Sequence, residues 1–239
     1  MFTATYGGKT YNELHVQLVE LKQARIALDL LKNQDCKPSE IFSTEQLDAT
    51  DDMLVDLVNK SNGEWKSIDV RIHIDDMSLQ EYMDSFHAAV VDARKMLGAT
   101  PDHMCYMSHL VEGQDEWTNN VIEFACGVPA DMLVEFSDDF MNEYAPAAPL
   151  PEYTERIVGK VYDRKHRMIG GVHHQFKSAD DGGLDIIWGI YYPAAIDDDS
   201  MEIHREHTLV ECYGWYRYGM EALGRRGSAM IPEGLAEGL

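Results

Sequence analysis

For sixty consecutive residues, from Met96 to Glu155, the chain has no Lys and no Arg, while twelve Asp and Glu fall in the same stretch. That stretch holds more than half of the formal net charge of −22 carried by the 239 residues. One sign of charge gathered in one place repels anions and attracts cations or basic surfaces. Direct binding of nucleic-acid phosphate or of an anionic membrane is therefore not expected, because such contacts ask for Lys or Arg. Cysteine is scarce too. Cys36, Cys105, Cys126 and Cys212 form no C-x-x-C pair, which gives no thiolate zinc framework and suits a reducing cytoplasm. No apolar run approaches the roughly 20 residues of a membrane helix, and the start of the chain lacks a basic segment leading into an apolar one. The expectation is a cytoplasmic protein.

What remains is the composition of a folded domain, 45% hydrophobic and 26% charged. Thr10 and Glu13 make a capping-box pattern ahead of Leu14, Leu18, Leu21 and Leu28, which predicts a long helix over Tyr11–Asn33. A second helix is expected over Asp48–Lys60. Alternation of Ile68, Val70, Ile72 and Ile74 with polar residues then reads as a half-buried strand. Ser78 and Glu81 cap a strongly amphipathic helix whose stripe runs from Leu79 through Tyr82, Met83, Phe86, Val90 and Ala93 to Leu97.

Strands are expected at Met104–Val111 and Trp117–Cys126, followed by a helix from Pro129 with Met132, Leu133, Phe136 and Phe140 on its buried side. Three more strands are predicted, Tyr153–Tyr162, Met168–Lys177 and Leu184–Tyr192. A last helix should begin at Asp199 or Ser200 and stop at Gly224. Strands grouped with strands over short turns predict an α+β fold: antiparallel sheet, long N-terminal helix, amphipathic middle helix and C-terminal helix packed on the sheet. One domain over residues 1–239 is expected, with a sub-boundary possible in the Pro-rich segment 145–151.

Several patterns resemble sites. Gly7-Gly8-Lys9-Thr10 matches half of a phosphate-binding loop but lacks its preceding strand, so a turn is the better reading. His73-Ile74-Asp75 has the H-x-D spacing of an iron facial triad, yet the strand's alternation turns His73 outward with Arg71. On the last helix, His204, His207 and Glu211 fall within about 60° of one another at 3.6 residues per turn. The apolar stripe Leu209, Tyr213, Tyr216, Met220 and Leu223 lies opposite, while Trp215 and Tyr218 extend the His/Glu face. A helix with aromatics on both sides is covered on both sides, so the His/Glu face should wall a pocket or a contact. His174 shares inward strand parity with Met168, Val172 and Phe176. His174, His204, His207 and Glu211 are thus the candidate ligands for a divalent zinc, manganese or iron ion; a pH-sensitive ion pair beside a buried histidine is the plainer alternative.

The acidic stretch admits three explanations: a solubilising face, a mimic of nucleic acid that occupies a basic protein, or one half of a self-contact. Its carboxylates Asp115, Glu116, Asp138 and Asp139 would meet a basic partner surface, or Arg164, Lys165, Arg167, Arg225 and Arg226 of a second copy in a homo-oligomer. The first functional expectation is a protein that acts through such protein contacts, as an inhibitor or assembly subunit. The second is a small metal-dependent enzyme, a hydrolase, built on the C-terminal His/Glu face.

Overall fold

The computed structural model describes residues 3–6, 9–12, 14, 21, 24, 42–110, 117–137 and 149–225. The N-terminus departs from expectation. Thr3–Tyr6 (β1) and Lys9–Asn12 (β2) pair as an antiparallel hairpin, with Tyr6 opposite Lys9. Threonines and tyrosines favour the extended chain, and Thr10 lies inside a strand instead of capping a helix. Leu14 and Leu21 are exposed, and the rest of the expected N-terminal helix lies outside the described residues.

The body is α+β. Helix α1 (Thr44–Ser61) starts at a full Ser43/Gln46 capping box and ends at Asn62, whose φ of 51° reverses the chain into β3 (Trp65–Ile74). The Ser78/Glu81 box opens α2 (Leu79–Val90), as expected. Its stripe does not continue as one helix. Val91 is exposed, and Asp92 caps a separate short helix, α3 (Ala93–Ala99), accepting from the backbone of Arg94 and Lys95.

Six strands follow: β4 (His103–Leu110), β5 (Trp117–Ala125), β6 (Val128–Phe136), β7 (Glu155–Tyr162), β8 (Met168–Ser178) and β9 (Leu184–Pro193). Helix α4 (Asp198–Ala222) closes the described chain, with Asp197 as its N-cap rather than Asp199 or Ser200. With β3 these strands form one antiparallel sheet in the order β3-β9-β8-β7-β6-β5-β4. β6 and β7, on either side of segment 145–151, are hydrogen-bonded neighbours.

The expected helix from Pro129 is strand β6. Two features override the helical reading. Cys126 and Gly127 have φ of 55° and 81°, the paired positive values of a tight hairpin turn, so the chain folds straight back on β5. Met132 is then buried by alternation, with Ala130. Pro129 is tolerated because β7 pairs β6 only over Leu133–Phe136. Phe140 lies outside the described residues.

The core fills the space between the sheet's inner face and α2, α3 and α4. Phe86 and Trp188 meet there edge to face at 5.8 Å, and Phe86 and Trp215 at 5.2 Å. Among the described residues, no helix is long and apolar enough to cross a membrane.

Candidate functional site

Between sheet and helices lies a cavity of about 510 Å³ whose wall is almost wholly apolar and aromatic. At one place that lining gives way to His103, Glu123, His204, His207 and Glu211. Sheet and helix share the supply. His103 begins β4, Glu123 comes from β5, and α4 contributes His204, His207 and Glu211, each a turn from the next.

Glu123 belongs to the inward parity of β5 together with Val121, which drives a carboxylate into the core. His103 and Glu123 face each other in the β4–β5 register. All three imidazoles and Glu123 are less than 7% exposed, and the Glu211 side chain is 13% exposed.

Each imidazole is held through Nδ1. That of His103 donates to the Met96 carbonyl at 2.7 Å. His204 shares a hydrogen bond with the Tyr192 hydroxyl at 2.9 Å, and His207 lies 3.3 Å from the Asp102 carboxylate. Such second partners fix ring orientation and tautomer and leave Nε2 as the binding nitrogen. From Nε2 of His103, Glu123 is 3.4 Å and Glu211 3.8 Å away; from Nε2 of His207, Glu123 is 3.8 Å away.

The potential ligand atoms of His103, His207 and Glu211 lie within 4.8 Å of one another, and so do those of Glu123, His204 and His207. Ligand atoms about 2.0–2.2 Å from one ion stand roughly 3–4 Å apart, so a small contraction would close either group on a metal. The groups share His207, and an Nε2 with one lone pair binds one ion. The arrangement is therefore a single centre.

The electrostatics point the same way. Burial would raise the Glu123 carboxyl, but the charges of His207 and His103 outweigh it and hold it at about 2. Burial also works against a proton on His207, yet Glu123, Asp102 and Glu211 together lift that imidazole to about 9. The hydrogen bond from His207 lowers Asp102. His204 is pushed down to about 4 by burial and by the His207 charge. Three carboxylates thus face one imidazole that keeps its proton and one held neutral, a field that favours a cation.

Of the four ligands expected from sequence, the structure brings His204, His207 and Glu211 together. His174 lines the same cavity but joins neither group. It stacks on Trp188 at 3.8 Å and 16°, and burial drives it down to about 3. His103 and Glu123 escaped the sequence reading. The available signal was Glu123 itself, a charge set among Val121, Ile122 and Phe124 in a strand-like run.

The stripe once opposed to the His/Glu face is solvent-facing in its first half, with Leu209 52% and Tyr213 44% exposed. The inward face uses Met201, Thr208, Cys212, Gly214 and Trp215. Its small residues let α4 lie close to its neighbours.

The surface candidates fall elsewhere. Arg164 binds Asp51 and Asp48, Lys165 and Arg167 reach Asp52, Arg167 binds Asp163, and Arg225 binds Glu81. Asp115, Glu116, Asp138, Asp139 and Arg226 lie outside the described residues. His73 sits on the outer face between Asp185 and Asp181, at 2.8 and 3.0 Å.

No family model matches the chain, and no curated protein matches it. Solved structures resembling it include that of Ara h 8.0201, 12% identical with a TM-score of 0.45, covering 66% of this chain and 99% of that one. An uncharacterised protein from Rhizobium leguminosarum is 10% identical with a TM-score of 0.41, covering 66% of this chain and 96% of that one. Dicamba monooxygenase bound to 3,6-dichlorosalicylic acid is 13% identical with a TM-score of 0.30, covering 72% of this chain and 56% of that one, so the chain spans little more than half of that enzyme.

Proposed function

We propose that this chain is a metal-dependent hydrolase of a small, largely apolar substrate. One observation carries the reading: three imidazoles, each anchored through Nδ1, gather with buried Glu123 and partly buried Glu211 on the wall of an apolar cavity. His103, Glu123, His207 and Glu211, linked by the contacts of 3.4–3.8 Å, would hold the ion. Nitrogen and carboxylate donors without thiolate suit zinc, manganese or iron(II). A divalent ion there would polarise a substrate carbonyl and make water a nucleophile near neutral pH.

The protein's own groups do the rest. The apolar wall excludes bulk water and strengthens each charge interaction at the cluster. Tyr192 and Asp102 orient His204 and His207. His204, held by Tyr192 and gathered with Glu123 and His207, stands beside the other ligands as a further imidazole that the ion or its water would meet. The described basic groups considered for a protein contact are paired with carboxylates of their own chain, so the observation that favours a function lies in the cavity.

The test is elemental analysis of untagged protein, paired with hydrolysis of aryl esters of increasing apolar bulk. One equivalent of zinc, manganese or iron is expected, lost in Glu123→Gln and His207→Ala, with turnover that a chelator stops and the same metal restores. Protein that takes up no stoichiometric metal, or hydrolysis indifferent to chelator and to both substitutions, would sink the proposal.

A further inference from the structure

Nδ1 of His174, Oδ1 of Asn119 and Nε1–H of Trp215 are buried without a hydrogen-bond partner among the described residues, and all three residues line the cavity. Their positions follow from the strands. Tyr192, which holds His204, marks the His/Glu cluster on β9. Trp188 lies four residues before it, about 13 Å at the rise of a strand, and His174 is its register partner on β8. Through the β5–β6, β6–β7 and β7–β8 registers Asn119 falls in line with Val134, Val161 and Gly170, so it lies on the Tyr192 row, and His174 lies four residues along the sheet from that row.

Between the two ends runs an aromatic wall. Trp215 is one helical turn beyond Glu211 and meets Phe86; Phe86 meets Trp188; His174 stacks on Trp188. His174 itself is 6% exposed.

We propose that the cavity takes an elongated, mostly apolar ligand whose reacting group meets the His/Glu cluster while a hydroxyl at its opposite end is received by His174. The proposal rests on the reading of the cavity as a substrate chamber. A hydroxyl fits because it both donates and accepts, so it can serve an imidazole nitrogen in either tautomer. A charged end group fits poorly: among the described residues the cavity lining contains no Lys or Arg, and its carboxylates are those of the His/Glu cluster. Stacking on Trp188 fixes the His174 ring plane, so the hydrogen bond must be made at the ring's edge.

Two rigid rods of nearly the same shape test this. 4-Acetyl-4′-hydroxybiphenyl carries a carbonyl at one end and a hydroxyl at the other; 4-acetyl-4′-methylbiphenyl replaces only the hydroxyl. Binding is read by quenching of Trp188 and Trp215 fluorescence in the metal-loaded and metal-free protein. The hydroxyl probe is expected to bind about tenfold more tightly, the scale of one buried hydrogen bond made or left unmade. His174→Phe keeps a ring on Trp188 and should abolish that preference without weakening the methyl probe; Asn119→Leu, on the Tyr192 row, should leave it unchanged.

Equal binding of the two rods by the native protein overturns the inference, as does a preference that survives His174→Phe. Failure of both rods to bind removes the chamber and the inference together. Metal content, measured on the same samples, reports separately on the His/Glu cluster.

Discussion

His174 shows how one side chain can stabilise a fold under one condition and weaken it under another. Its place on the cavity wall leaves Nδ1 unpaired, at a cost of about 1–3 kcal/mol. Burial, with the neighbouring His173, drives its pKa down to about 3 from the ordinary 6.5. Between those values the unfolded chain binds a proton that the folded chain refuses, so stability is complete above about 6.5 and falls as pH drops toward 3. The slope from this residue alone is about 1.4 kcal/mol per pH unit. Chemical denaturation of native protein and His174→Phe at pH 7 and pH 5 isolates it. The native protein should lose about 2 kcal/mol more than the variant over that interval. An equal loss in both would show that His174 is solvated or protonated in the fold. Exposed His73 has the opposite sign: its hydrogen bond to Asp185 raises its pKa, so the stability it adds is present in acid and lost as pH rises.

At the scale of elements, the His/Glu cluster depends on how closely α4 approaches the turn that carries Asp102 and His103. Gly214 sets that approach. A Cβ there would overlap the Ala99 carbonyl oxygen and come within 2.8 Å of the Ala99 Cα, and backbone cannot rotate aside. Gly214→Ala should therefore push α4 from the end of α3, costing about 1–3 kcal/mol as overpacking does. Because His207 and Glu211 ride on α4 while His103 follows Ala99 closely, the same change should weaken metal uptake. Thermal unfolding and metal titration of the variant together check this; a destabilised variant with unaltered metal affinity would mean that the cluster does not depend on the helix position.

The periodic elements were legible in the sequence for local reasons. The Ser78/Glu81 box and the alternation of Ile68 to Ile74 carry their own signals. β6 was not legible, because Met132, Leu133 and Phe136 fit a helical spacing, while the positive-φ pair at Cys126–Gly127 and the alternating burial that decide against it belong to the folded hairpin. His204, His207 and Glu211 were visible as one helix face. His103 and Glu123 were not, because their meeting depends on the β4–β5 register and on which face of the sheet α4 covers.

For the whole molecule, the cluster is a tie between layers. Its donors come from β4 and β5 on one side and α4 on the other, so an ion bound to the fold and not to the unfolded chain must stabilise sheet and helix together. Mass action sets the size: free ion at a hundred times its Kd adds about 2.7 kcal/mol. For a chain of this length that is a rise in Tm of about 5–10 °C. The acidic surface complicates the measurement, because a net charge of −22 draws divalent ions non-specifically and is itself relieved by salt. The comparison should therefore be made at high ionic strength, between metal-loaded protein and protein treated with chelator. Native protein should lose the increment on chelation, and Glu123→Gln and His207→Ala should show none to lose. A metal-dependent rise that survives both substitutions would assign the stabilisation to surface carboxylates, and the buried cluster would then be an ion-pair network bridging sheet and helix without a metal.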